Sequence, residues 1–268
     1  MCKRVFMLFL ILVCMFHAWL DAAETVIQDR PVRIVTSSDP NIFPGNWLSK
    51  GIQARAERLP DNQFARSQSV LNRVQKKYPQ KVLQKNLKTI YVLHRLIFSG
   101  ISASGTNWGS NVYLANRGVR AGFSGNRLEK TFHAELSSIL LRKYPQYLDK
   151  EAWQQVNPKS FKYGQSGVVA VKNQQSGKTF DVLVHARGFL HKYAQSTLEN
   201  DFNSIAEQLL MGSGSFWRVV DAYPGIKAKT DLTIAFYQHI DPSFSRTFFK
   251  SLVNKNRMIR LRSVYQRR

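Results

Sequence analysis

Apolar side chains recur every three or four residues through "NRLEKTFHAELSSILLRKYP". Leu128, Phe132, Leu136, Ile139 and Leu140 form one stripe there, so the period predicts an amphipathic helix. The same spacing of Phe64, Val70, Leu71 and Val74 predicts a helix in "DNQFARSQSVLNRVQKKYP", with Asp61 as its N-cap and "QKVLQKNL" as a second helical piece. Other segments carry a strand signal. "TIYVLHRLIFSG" and "NVYLANRG" are rich in β-branched and aromatic residues and are bounded by Gly and Ser turns, and "PVRIVTSSD" reads as a shorter strand. "PNIFPGNWLSKG" reads as a loop, and "SGISASGTNWGSN" as a hairpin or loop. A further strand pair is predicted in "VVAVKNQQSGKTFDVLVHA". Beyond it "TLENDFNSIAEQLLM", "SFWRVVDAY", "KAKTDLTIAFYQHI" and "DPSFSRTFFKSLVNK" all read as helices. Strands come first and helices dominate the end, which defines an α+β class with a small mixed sheet and a mainly helical C-terminal part.

The first residues stand outside this pattern. Lys3 and Arg4 precede the apolar run "VFMLFLILVCMFHAWL", and "DAAE" supplies small residues for cleavage, so residues 1–23 read as a secretory signal peptide. Val13 before Cys14 does not suit lipid attachment. The expectation is an exported protein, periplasmic or secreted, with residues 24–268 forming one domain and a basic tail. Both cysteines, Cys2 and Cys14, fall in the leader, which excludes disulfides, cysteine-ligated metal and cysteine catalysis from the mature chain. The formal net charge of +22 points to anionic partners, an envelope polymer or a lipid surface. Nucleic acid is not the expected partner, because the aromatic residues do not alternate with the cations as stacking platforms would.

Chemistry concentrates in "EKTFHAELSSIL". In a His-Glu-x-x-His helix, two imidazoles four residues apart share a face and reach one zinc, and the adjacent Glu activates its water. Two registers fit here. With Glu135 as the acid, Ala134 and Ser138 take the two His positions. With His133 as first ligand, Ala134 replaces the acid and Ser137 the second His. His133 and Glu135 cannot cooperate directly, since residues two apart point roughly 200° away from each other. "SGISASGTNWGSN" has neither the Lys-Ser/Thr ending of a phosphate loop nor the spacing of a dinucleotide fingerprint.

Downstream, "GFLHKYAQSTLENDFNSIAEQLL" places Tyr193 shortly before an acidic helix start. Thr197 is the predicted cap, Glu199 and Asp201 lie early in the helix, and Glu207 follows. Phe202, Ile205, Leu209 and Leu210 would hold that helix against a core. Together the two segments resemble the gluzincin-like zinc-binding metallopeptidases, which include bacterial envelope members and, more distantly, the catalytic domain of anthrax lethal factor. The resemblance covers roughly residues 85 to 250 and implies a zincin-like fold whose edge strand lines a substrate groove. It further implies Glu135 as general base, Tyr193 as oxyanion partner and Asp201 as third zinc ligand, with Glu199 and Glu207 as rival or supporting carboxylates. His133 and His191, with His185 beside it, are the remaining candidate ligands.

Two functions follow from the resemblance. One is an exported metallopeptidase-like hydrolase that cuts a peptide or protein. The other is a catalytically inactive zincin-fold envelope protein that binds a peptide, a partner or an anionic polymer. Zinc belongs to the first, and Ala134 and Ser138 at the expected His positions weigh against it.

Overall fold

The protein is described by a computed structural model covering residues 24–164 and 179–253. It divides into two compact units. Among the described residues, one comprises 24–76 and Leu83–Glu129, the other Lys77–Val82, 130–164 and 179–253.

The first unit carries the sheet. Its strands are β1 (Thr25–Gln28), β2 (Arg33–Thr36), β3 (Arg55–Arg58), β4 (Thr89–Phe98), β5 (Ile101–Ser102), β6 (Gly105–Trp108) and β7 (Asn111–Ala115). They run in the order β1-β2-β4-β7-β6, with β3 and β5 also paired to β4. The ten-residue β4 is the spine. Its first half has parallel neighbours on both sides, β2 and β7, and its second half has antiparallel neighbours, β3 and β5. That explains the unbroken burial of "TIYVL": flanked by parallel strands, these residues are buried on both faces, and alternation disappears. Ser99 (φ 49°) and Gly100 (φ 77°) make the two-residue turn into β5, and a type I′ hairpin needs positive φ at both central positions.

On one sheet face Val35, Tyr91, Leu93, Leu96, Tyr113 and Ala115 form a core, closed by Phe43 and Ala54 from the segment between β2 and β3. Tyr91 and Tyr113 are in register and stack at 4.9 Å, and Tyr113 Oη donates to Ile42 O at 2.6 Å. Burial, and the neighbouring Tyr91, push the Tyr113 phenol up to about 12. Helix α1 spans Phe64–Gln75, with Val70, Leu71 and Val74 buried as the period predicts. Asp61 is not its N-cap. It opens a short 3-10 turn, and the cap position is Gln63, whose side chain makes no capping bond. Helix α2 is Gln80–Asn86.

Every described element after β7 is helical, as expected of an α+β chain with a helical C-terminal part. The helices are α3 (Gly125–Lys143), α4 (Lys150–Gln155), α5 (Val182–His185), α6 (Leu198–Met211), α7 (Gly214–Ala222), α8 (Pro224–Ile240) and α9 (residues 246–253). In α6, Thr197 accepts from Asn200 N at 3.0 Å, and Gly212 in the left-handed region (φ 61°) closes the far end. Everything from Asp201 to Leu210 in α6 is buried. Phe202, Phe236, Tyr237, Phe244 and Phe249 pack as one aromatic group in the second unit.

The strand pair predicted over "VVAVKNQQSGKTFDVLVHA" lies largely outside the described residues. Where described, it is corrected: Val182–His185 is helical. Asp181 accepts from Leu183 N at 3.0 Å, and this local cap overrides the β preference of two valines.

Candidate functional site

All of the predicted site residues lie in the second unit. Their positions come from α3, α6 and the segment 185–195.

In α3, His133 is fully buried and its Nδ1 lies 2.7 Å from Tyr78 Oη. Ser137 donates to His133 O at 2.6 Å and pairs with Tyr237 Oη at 2.7 Å. Ser138 Oγ accepts from Asn203 Nδ2 at 2.7 Å, with both side chains buried. Ala134 and Glu135 are half-buried. In the register with Glu135 as acid, one ligand position is therefore a methyl group. The other is a hydroxyl already bonded to α6. In the alternative register the second position, Ser137, is bonded to its own helix and to Tyr237.

Asp201 sits in the first turn of α6 with no solvent exposure. Its Oδ2 receives three donors: Lys229 Nζ at 2.7 Å, Tyr163 Oη at 2.6 Å and Trp153 Nε1 at 3.1 Å. Lys229 is also fully buried; its ammonium donates to Gly188 O at 2.9 Å and lies 3.9 Å from the centre of the Phe189 ring. Burial pushes the Asp201 carboxyl up and the Lys229 ammonium down, and each charge partly offsets the shift of the other. Burial and then the Asp201 charge also raise the Tyr163 phenol. The carboxylate assigned as third metal ligand is thus the acceptor of a buried ion pair. Asp201 Oδ1 has no hydrogen-bond partner among the described residues.

His191 caps the turn Lys192–Gln195, its Nδ1 accepting from Ala194 N at 3.1 Å, which assigns the ring proton to Nε2. His185 Nε2 lies 3.1 Å from Leu190 O. Both rings are buried and serve their own loop. Glu199 pairs with Arg142 and Glu207 with Lys130, each at 3.0 Å.

The structure does bring Tyr193 and Glu135 near each other. Burial is the main cause that raises the Tyr193 phenol. The Glu135 charge comes next, Glu199 and Glu207 add to it, and a hydrogen bond with Asn200 opposes it. Tyr193 is therefore a neutral donor at physiological pH.

A structural zinc or a catalytic one needs at least three converging donors. Among the described residues no three His, Cys, Asp or Glu side chains gather in that way. The donor set does not fit zinc: the carboxylate is held by a lysine, one ligand position by an asparagine, and the histidines by loop backbone and a tyrosine. Lys229 is the residue that sequence reasoning missed. The available signal was its place on the buried face of α8, in step with Ile226 and Thr233, where a cation needs a carboxylate.

No protein-family model matches the chain, and no curated protein matches it. Among solved structures, it is similar to one from Bacteroides caccae described as "a putative zinc-binding metallo-peptidase", at 16% sequence identity and a TM-score of 0.45, covering 70% of this chain and 76% of that one.

Proposed function

We propose that this chain is an exported, metal-free protein on a metallopeptidase-like scaffold, which binds an extended peptide and does not cleave it. The observation that carries the reading is the hydrogen bond between Ser138 and Asn203 at 2.7 Å. It joins the motif helix to α6 with two neutral side chains at the position where the resemblance calls for a zinc ligand. Glu135 and Tyr193 then act in recognition. A carboxylate accepts from an amide N–H and a neutral phenol donates to a carbonyl, so the two side chains are complementary to the N–H and C=O groups along one edge of an extended peptide. Periplasmic or secreted location, and a peptide or protein ligand, belong to this proposal.

The test combines elemental mass spectrometry after incubation with zinc, and a peptide library scored both for binding and for cleavage. The expected result is no zinc, no cleavage, and binding weakened by Tyr193→Phe and by Glu135→Gln. Stoichiometric zinc, or cleavage abolished in Glu135→Gln, overturns the proposal.

A second reading, peptide hydrolysis, is favoured by one observation: Tyr193 stands within electrostatic reach of Glu135, as an oxyanion partner and a general base would. It requires His133, His191 and Asp201 to leave their present partners and converge.

A further inference from the structure

The donors around Asp201 are shared unevenly between its two oxygens. Lys229 Nζ, Tyr163 Oη and Trp153 Nε1 all reach Oδ2, at 2.7, 2.6 and 3.1 Å. Oδ1 is buried and has no hydrogen-bond partner among the described residues. A settled carboxylate spreads its charge over both oxygens and needs donors at both, so an ion pair alone leaves this site unbalanced. The surroundings are dry and aromatic. Neither side chain of the pair is exposed, and Nζ lies 3.9 Å from the centre of the Phe189 ring. Phe161 and Tyr163 pack on that ring in turn, at 4.6 and 6.3 Å. Since a C–O bond is about 1.2 Å long, Nζ stands no more than about 4 Å from Asp201 Cγ.

We propose that Lys229 and Asp201 condense into an intramolecular amide, a covalent cross-link between α8 and α6. The ammonium first passes one proton to the carboxyl group, leaving a free amine beside a carboxylic acid. Burial favours that exchange, because it raises the Asp201 carboxyl and lowers the Lys229 ammonium. Nζ then attacks Cγ, and the negative charge that develops on Oδ2 meets the Tyr163 and Trp153 donors. A C–N bond forms and the Cγ–Oδ1 bond breaks. Oδ1 leaves as water with two of the three ammonium protons, so nothing is oxidised or reduced and no co-reactant is consumed. Holding amine and acid in contact is worth an effective concentration of roughly 10⁵ M or more, and exclusion of water opposes the reverse reaction.

The product satisfies every group. The amide oxygen, formerly Oδ2, keeps Tyr163 and Trp153 as donors, and the one remaining N–H has Gly188 O, 2.9 Å from Nζ, as its acceptor. The oxygen without a partner is the one that departs. The bond would join residues 28 apart in sequence, closing a loop as a disulfide does, in a segment where the described residues include no cysteine.

The experiment is the intact mass of the purified full chain, unfolded in acid and guanidinium so that only covalent links survive. The expected major species is lighter than its sequence by one water. Tryptic digestion should release one branched peptide that joins residues 193–218 to residues 228–246, with Lys229 uncleaved. Lys229→Arg and Asp201→Ala should each restore the full sequence mass. The decisive reading is taken on the unsubstituted chain, so it stands even where a variant fails to fold. A major species at the full sequence mass overturns the proposal. So does a loss of one water without the branched peptide, which marks a succinimide at Asp201, or a loss that persists in Lys229→Arg.

Discussion

Asp201 Oδ2 and Lys229 Nζ stand 2.7 Å apart, with neither side chain exposed to solvent. A buried pair of this kind is costly to assemble and more costly to break, because removing one partner leaves the other charge unpaired. Lys229→Met should therefore destabilise the protein by about 3–5 kcal/mol, measured by urea denaturation. Adding Asp201→Asn should recover part of that loss, because the two sites share one interaction. Equal loss in the single and double variants would show that the ion pair contributes little.

The junction between α3 and α6 makes a second prediction. Ser138→Ala removes the acceptor of the 2.7 Å bond from Asn203 Nδ2, in a side chain whose Oδ1 has no hydrogen-bond partner among the described residues. Stability should fall by about 1–3 kcal/mol, the penalty for a buried polar group left unpaired. Ser138→Cys, a weaker acceptor of similar size, should give an intermediate urea midpoint.

Tyr193 reports on Glu135. The carboxylate's charge raises the phenol, so Glu135→Gln should lower its titration midpoint, followed through the ring carbon bonded to oxygen by NMR. An unchanged midpoint would remove the electrostatic link on which both functional readings draw.

Asp241 gives the chain a defined acid sensitivity. Burial raises this carboxyl, but Ser243 N at 2.9 Å and Lys81 Nζ at 3.0 Å outweigh it, and the folded value lies below the ordinary one. The unfolded value is near 3.9. Stability from this group is therefore present above about pH 4 and disappears as pH falls through the lowered folded value. Asp241→Asn should have a lower urea midpoint than the parent at pH 7, and the gap should close at acid pH.

How much of this was legible beforehand depended on range. Leu128 to Leu140 announced α3 because its apolar stripe is a local, periodic signal, and Thr197 announced the start of α6 for a similar reason. Val182–His185 was misread, because one side-chain cap decided against the strand preference of its residues. Asp201 was visible as an acidic residue in a first helical turn. That position suits a helix dipole, a metal ligand or an ion pair equally well. The partners that decide among these, Trp153, Tyr163 and Lys229, lie 48 and 38 residues before it and 28 after it. No short window of sequence holds them together.

The two-sided pairing of β4 carries a consequence for how the sheet assembles. The Ser99–Gly100 turn brings β5 onto β4 with almost no loop to close, so that contact forms early and sets which residues of β4 face which way. The parallel contacts with β2 and β7 join residues far apart along the chain and must wait for long loops to close, so they set the pace of folding. Until they form, the apolar first half of β4 offers two unpaired edges to any neighbouring copy. The spine of the finished sheet is therefore the segment most exposed to aggregation during its assembly.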